Sequence, residues 1–417
     1  MTKAPPQPLN WIWTFTSDRL LFRPFKMRDV DAVFSYASDP EVARYMSFDR
    51  AEKPEDTARF LEAVVARYRC ENDPGSYEWA VEEMSNPGRV IGSIGLYVVP
   101  GAPATLKTGY VYARDTWGKG YATEALRRIV DFAFEYLGAN RVCADHFEEN
   151  AASGRVMEKV GMRYELTLRD RFFFKGRYWN APFYSILRED WDGMPADPSE
   201  MKVKAGGAPS WVEQASKEGA AEFPLKPSED GWIWPFSEGG LHFRPLRSTD
   251  AGLMAVMRWC EDPNNVIPEI LKAQESERDP RHYVWTVEEE DDLKNTVGFA
   301  ELYGEGRDQG IYDVRARAVP AELGPVVLRG AVRFAFERMG ANRLQKNVLP
   351  GDTEQRRMLE EAGFTREGTS RQSSHSGGVY RDLLCYALLR RDWDGRQLPP
   401  NTPAPRDESA TQKPTNP

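Results

Sequence analysis

Cysteine and histidine are scarce, with four of each in 417 residues. Cys70, Cys143, Cys260 and Cys385 stand far apart without a CxxC spacing, and His146, His242, His282 and His375 are equally scattered. This distribution excludes a disulfide framework and a zinc site built on paired motifs, so no metal is expected. Long apolar runs are also missing. No segment reaches the roughly 18 apolar residues of a membrane-spanning helix. The N-terminal residues, with Pro5, Pro6 and Pro8, lack the apolar stretch of a signal peptide. A cytoplasmic protein with no membrane partner is therefore expected. Positive charge is not in excess either. The net charge of -9 is opposite to the clustered Lys and Arg of a nucleic-acid-binding surface, and no nucleic-acid partner is expected.

What the chain does have is apolar and aromatic residues, 41% and 12% respectively, enough to pack cores. Its length exceeds one ordinary core and suits two. The sequence then shows two of something. Trp11-Ile12-Trp13, Phe15 and Phe22-Arg23-Pro24 recur as Trp232-Ile233-Trp234, Phe236 and Phe243-Arg244-Pro245, an offset of 221 set by Trp11 and Trp232. Phe132-Ala133-Phe134-Glu135 and Gly138-Ala139-Asn140-Arg141 recur as Phe334-Ala335-Phe336-Glu337 and Gly340-Ala341-Asn342-Arg343. Asp190-Trp191-Asp192-Gly193 returns as Asp392-Trp393-Asp394-Gly395. The later offset is 202, from Phe132 to Phe334, so the first copy carries extra residues before its middle helix. Three multi-residue matches in one order mark an internal duplication.

The copies are placed at 19–194 and 231–397. A stretch rich in Pro, Gly, Ser and charge at 195–230 reads as a linker, and the proline-rich polar tail at 398–417 reads as disordered. The two domains are expected to pack on each other. In the first copy, strands are predicted at Leu20–Arg23, Glu78–Val81, Val90–Leu96, Thr108–Tyr112, Arg141–Ala144 and Phe183–Leu187. Helical spacing covers 29–37, 55–69, a stretch from Ala122 to Leu137, and Ala152–Val160. Several adjacent strands are unbroken by helices. The fold class is therefore α+β, a mixed, mostly antiparallel sheet flanked by helices.

Trp117-Gly118-Lys119-Gly120-Tyr121-Ala122-Thr123 stands where a strand ends and the amphipathic helix starts. Glycines there let the backbone pass close to a ligand. The first N–H groups of the helix, which have no partner within it, suit a diphosphate. Lys119 adds charge at the rim. A Walker loop is excluded because Gly120 follows Lys119, and a dinucleotide fingerprint because Thr123 stands where its third glycine belongs. The plain alternative is a tight strand–helix turn that holds nothing.

With Asn150-Ala151-Ala152-Ser153 and Met157-Glu158-Lys159-Val160-Gly161-Met162 downstream, this loop and helix resemble the Gcn5-related N-acetyltransferases (GNAT), closest in the RimJ/RimL-like branch. The resemblance covers about 19–193. It implies two tandem GNAT-like domains, with acetyl-CoA as co-substrate and no metal. The acceptor is expected to be a primary amine, on a small molecule or a protein N-terminus. The coenzyme loop of the family has the pattern Gln/Arg-x-x-Gly-x-Gly/Ala, which falls on Trp117, Gly120 and Ala122. The departure at Trp117 removes a side-chain donor. The resemblance implies that backbone amides of Gly118 to Thr123 hold the diphosphate, with Trp117, Gly118, Lys119, Gly120, Tyr121, Ala122 and Thr123 as coenzyme-binding residues.

Where the family often has a tyrosine acid, seven residues after the asparagine, this chain has Met157. Ser153 is then the expected donor to the departing sulfur, and Asn150 the expected partner of the pantetheine arm. Alternatively, both residues cap a helix. The base is open between Tyr112, His146 and Glu83. Asp39–Met46 resembles an acceptor-side loop, and Asn180 stands where many relatives have Asp. In the second copy Gly120 maps to Glu322, Thr123 to Pro325, Asn150 to Asp352 and Ser153 to Gln355. A carboxylate near a phosphate costs up to about 4 kcal/mol at intermediate dielectric, and proline removes an amide donor. A coenzyme-competent first copy and a degenerate second are expected. The competing readings are a non-catalytic acyl-CoA-binding or regulatory protein, and transfer from aminoacyl-tRNA.

Overall fold

The computed structural model describes residues 14–68, 75–99, 102, 104–191, 235–246, 250, 282–304 and 310–393. The linker and tail expected from the sequence lie outside these residues. By their contacts the described residues form two compact units. The first is built on residues up to 191 together with 347–352 and 366–386, the second on the remainder.

The first unit opens with strands β1 (Phe15–Thr16) and β2 (Leu20–Arg23), followed by helices α1 (Val30–Ala37), α2 (Pro40–Ala43) and α3 (Pro54–Arg67). Strands β3 (Ser76–Glu83), β4 (Val90–Val98) and β5 (Thr105–Tyr112) lead to helix α4 (Tyr121–Glu135). Then come β6 (Arg141–Asp145), α5 (Ala151–Lys159), β7 (Arg163–Phe174) and β8 (Arg177–Leu187). The strands order as β1-β2-β3-β4-β5-β6-β8-β7. Every pair in this unit is antiparallel except β5 with β6, which is the mixed, mostly antiparallel sheet expected.

Apolar periodicity explains how α4 seats on the sheet. Ala125, Leu126, Ile129, Val130, Phe132 and Ala133 recur at steps of three and four and are all buried. Phe132 stacks on Phe15 with centroids 5.1 Å apart and meets Trp79 edge-on at 5.3 Å, while Phe15 stacks on Phe22 at 4.8 Å. On the same strands Arg23 is buried between two carboxylates. Its guanidinium donates to Asp29 at 2.7 and 2.8 Å and to Glu82. A charge removed from water in this way persists only when it is paired and hydrogen-bonded on several sides.

The second unit repeats both features. Strands β9 (Phe236–Glu238), β10 (Leu241–Pro245), β11 (His282–Glu289), β12 (Asp292–Gly304) and β13 (Ile311–Ala318) precede helix α6 (Gly324–Glu337) and strand β14 (Arg343–Val348). In chain order helix α7 (Thr353–Glu361) and the strands β15 (Thr365–Ser376) and β16 (Val379–Leu389) follow, residues 366–386 of these strands belonging by their contacts to the first unit. Phe334 stacks on Phe236 at 5.2 Å and meets Trp285 at 4.7 Å, and Phe236 stacks on Phe243 at 4.4 Å. Arg244 donates to Asp250 at 2.8 and 2.9 Å and to Glu288 at 2.7 Å. The duplication read from motifs is thus a duplication of an aromatic core and a buried ionic triad.

Candidate active site

The parallel seam of the first unit opens into a fork. β5 and β6 are in register only at Thr105/Arg141, Leu106/Val142 and Lys107/Cys143. Beyond that point β5 follows β4 as far as Tyr112, and β6 follows β8 as far as Asp145. The edge of β5 that faces β6 is therefore without ladder partners from Thr108 onward. An ion pair between Lys107 Nζ and Asp145 Oδ2, at 2.7 Å, closes the apex. Backbone groups along an open strand edge need partners, and an extended ligand arm can supply them.

Above the fork lies the glycine loop. Gly118 (φ 75°) and Gly120 (φ 82°) both adopt the left-handed conformation that L side chains rarely enter, which explains glycine at these positions. Gly120 is the N-cap of α4 and has no side chain with which to close the helix end. Among the described residues, none of the amides from Gly118 to Thr123 donates to a protein acceptor. The first that does is Glu124, to the Gly120 carbonyl at 3.0 Å. These amides lie at the positive end of a 15-residue helix, a setting that suits an anion. Trp117 does not contribute its indole N–H to that cradle. Nε1 donates to the Tyr112 carbonyl at 2.9 Å, while the ring is 50% exposed. Lys119 is exposed at the rim, and Ala122 packs against the core at the foot of α4.

Asn150 is the N-cap of α5, and its side chain accepts from Ser153 N at 3.4 Å. The capping role weighed from sequence is therefore present, and it does not occupy the serine hydroxyl. Ser153 Oγ lies 2.9 Å from the Tyr110 hydroxyl, which also donates to the Ser153 carbonyl at 3.1 Å. The structure brings β5 and α5 together through this contact, and Tyr110 is the residue sequence reasoning missed. Burial pushes the Tyr110 phenol up to about 12. Met157, in the place of the expected acid, is buried in the core.

The three base candidates fall in different settings. Among the described residues the buried Tyr112 hydroxyl has no partner, and burial raises its pKa well above the usual phenol range. His146 contacts the Phe147 carbonyl through Nδ1 at 2.8 Å, which fixes Nδ1–H as donor. Its Nε2 is buried beneath α5, where a Cβ on Gly154 would come within 2.8 Å of it. Glu83 lies beside the glycine loop, at the first residue of α4. It accepts from the Tyr121 hydroxyl, and this bond holds its carboxyl below the usual range.

On the β6 side of the fork, β7 and β8 form a long hairpin that the sequence reading saw only at its end. Lys175, at its tip, donates to the Ala43 carbonyl at 2.6 Å, which ties the hairpin to α2 in the segment 39–46. Phe147 packs on Trp179 at 4.8 Å and on Phe172 at 5.8 Å, and Lys107 at the fork apex lies over the Phe172 ring at 5.6 Å. Asn180 accepts from Asp170 N and donates to Glu148, both at 2.9 Å.

The second unit keeps the fork and changes the loop. Its parallel seam is again three residues, Ile311/Arg343 to Asp313/Gln345. The pairs Gly92/Tyr112 and Gly298/Ala318 differ by 206, whereas the helix ends Glu135 and Glu337 differ by 202. The connection is thus four residues shorter. A single turn, Ala321–Leu323, replaces both left-handed glycines, and Pro325 sits in the first turn of α6. Tyr110 and Tyr112 become Ala316 and Ala318.

The model of the acetyltransferase (GNAT) domain matches residues 19–163 and 240–365, together more than half of the chain. The N-acetyltransferase YoaA of Bacillus subtilis is 28% identical over 172 residues, 41% of this chain and 95% of that protein. YnaD of the same organism is 32% identical over 182 residues, 42% of this chain and 98% of its own length. The putative ribosomal N-acetyltransferase YdaF, also of B. subtilis, is 28% identical over 144 residues, 34% of this chain and 77% of that protein. A solved GNAT-family acetyltransferase from Bacillus anthracis is 29% identical over 42% of this chain and 99% of that one, with a TM-score of 0.38. The chain belongs to the GNAT family and is an acetyl-CoA-dependent N-acetyltransferase with two GNAT domains in tandem.

Proposed function

We propose that the first unit carries out acetyl transfer from acetyl-CoA to a primary amine, on a small molecule or a protein N-terminus, and that the second unit binds no coenzyme. One observation carries this reading: among the described residues the amides of Gly118 and of Gly120 to Thr123 have no protein acceptor, and they sit at the start of a long helix. They take the coenzyme diphosphate. The open edge of β5 takes the pantetheine arm, with Asn150 beside it.

The neutral amine attacks the thioester carbonyl, forming the N–C bond as the C–S bond breaks. The amine proton leaves to a base or water, and the thiolate takes a proton from Ser153; Tyr110 then turns its O–H from the Ser153 carbonyl to Ser153 Oγ, passes a proton to it and regains one from water. Tyr110 suits this relay because burial keeps its phenol protonated. The acceptor enters on the side of α2 and the β7–β8 hairpin. A ribosomal acceptor is supported by the resemblance to the putative ribosomal N-acetyltransferase YdaF.

The experiment is thiol release from acetyl-CoA by the full chain against a panel of peptides with free N-termini and small amines. Turnover with at least one class is expected, and Ser153→Ala should reduce kcat on it. Coenzyme binding that survives replacement of both loop glycines by valine would overturn the assignment.

A further inference from the structure

Arg19, immediately before β2, is built into the back of the glycine loop although it is 100 residues away in sequence. Its Nη1 donates to the Lys119 carbonyl at 3.1 Å, and its Nε to Glu124 Oε2 at 2.7 Å. The guanidinium carbon stands 4.6 Å over the Tyr121 ring, whose hydroxyl is held by Glu83. Nη2 lies 3.5 Å from the place a Cβ on Gly120 would take. Glu124 is held further by Ser17 Oγ at 2.6 Å and by the Arg19 amide at 2.8 Å.

Two physical consequences follow from these bonds. A trans peptide points its carbonyl and its N–H in opposite directions. Holding the Lys119 carbonyl therefore fixes the direction of the Gly120 N–H, in a loop where two glycines leave the backbone loose. Second, Glu124 lies in the first turn of α4, where a carboxylate is attracted to the same positive helix end as an anionic ligand. Arg19 offsets that charge and draws the carboxylate to the side of β2.

The second unit supplies an independent observation. Arg19 corresponds to Gly240 by the 221 offset of Phe22 and Phe243, and Glu124 to Val326 by the 202 offset of α6. Tyr121 corresponds to Leu323. The carbonyl clasp, its counter-charge and its stacking ring are all missing where the loop is contracted.

We propose that Arg19 is a positioning residue for the coenzyme diphosphate, acting through the Lys119–Gly120 peptide and through neutralisation of Glu124. The inference rests on the reading that the 118–123 amides hold that diphosphate. The Arg19 side chain is 48% exposed, and an ion pair of that kind contributes little to global stability. Its effect belongs on coenzyme affinity.

The test uses the full chain. CoA affinity is measured by calorimetry, and kinetics are measured with acetyl-CoA and with S-acetylpantetheine, which lacks the diphosphate. Arg19→Ala is expected to raise the Kd for CoA and the KM for acetyl-CoA by about tenfold. It should leave kcat at saturation within about twofold and the KM for S-acetylpantetheine unchanged. Arg19→Lys, which keeps the charge but not the two-pronged reach, should fall between. Adding Glu124→Gln to Arg19→Ala should recover part of the loss, because the uncompensated carboxylate is gone. Should Arg19→Ala fail to fold, Arg19→Lys and Glu124→Gln carry the same comparison. A folded Arg19→Ala chain with wild-type CoA affinity overturns the inference, as does an equal rise in KM for both thioesters. A wild-type chain that binds no CoA removes the underlying reading and this inference with it.

Discussion

At the scale of single residues, the site depends on groups that are strained or buried for a reason. Gly120 holds a left-handed conformation that costs an L side chain about 1–2 kcal/mol. Gly120→Val is therefore expected to displace the start of α4 and weaken CoA binding by roughly tenfold or more, as calorimetry on the full chain can measure. Ser153 and Tyr110 share a hydrogen bond, so their substitutions should not add. Ser153→Ala, Tyr110→Phe and the double variant are expected to lower kcat by similar factors, on the order of tenfold to a hundredfold. The pH dependence fixes which form of Tyr110 works. Burial raises its pKa to about 12, so the donating neutral form persists through the assay range and is lost only as pH rises toward that value. The Tyr110→Phe deficit in kcat should be the same factor at about pH 7 and about pH 9. A deficit that disappears at the higher pH would mean that the phenol ionises there and that the relay is wrong.

At the scale of elements, α4 and its sheet are held by the Phe15, Phe22, Trp79 and Phe132 cluster and by the buried Arg23, Asp29 and Glu82 triad. Asp29→Ala leaves a buried guanidinium short of a bidentate partner. It is expected to destabilise the first unit by about 3–5 kcal/mol, seen as a lowered midpoint in thermal or urea unfolding. These elements could be read in the sequence because their signals are local. Ala125, Leu126, Ile129 and Val130 carry the helix period, and Gly118-Lys119-Gly120 marks where it begins. β7 could not be read in the same way. Its register shifts between Tyr164 and Leu166 and between Leu168 and Phe172, with Asp170 at φ 50°, so inward and outward residues do not alternate. The Tyr110–Ser153 contact joins residues 43 apart, and the Arg19–Glu124 pair joins residues 105 apart. No spacing rule reaches that far. The pair is a consequence of the sheet order and becomes visible only once β2 and α4 have been brought together.

At the scale of the whole chain, the duplication separates what a GNAT core needs from what its coenzyme site needs. The aromatic cluster, the ionic triad and the three-residue parallel seam occur in both units. The second unit therefore retains the contacts that fold it. The changes fall together at one place: four residues lost between β13 and α6, a proline in the first turn, and alanines at both fork tyrosines. Random loss would have struck the core as well, and a destabilised second unit would threaten a chain whose margin is only about 5–15 kcal/mol. The pattern instead points to a unit kept for its surface or for its support of the first. The proposed division of labour between the units predicts a single coenzyme site per chain. Calorimetric titration of the full chain with CoA is expected to give one molecule bound per chain, and Gly120→Val should weaken that one site without exposing another. Two equivalents in the wild type, or an unweakened equivalent in the variant, would place a working cradle where the connection is four residues too short, and the division of labour between the units would have to be abandoned.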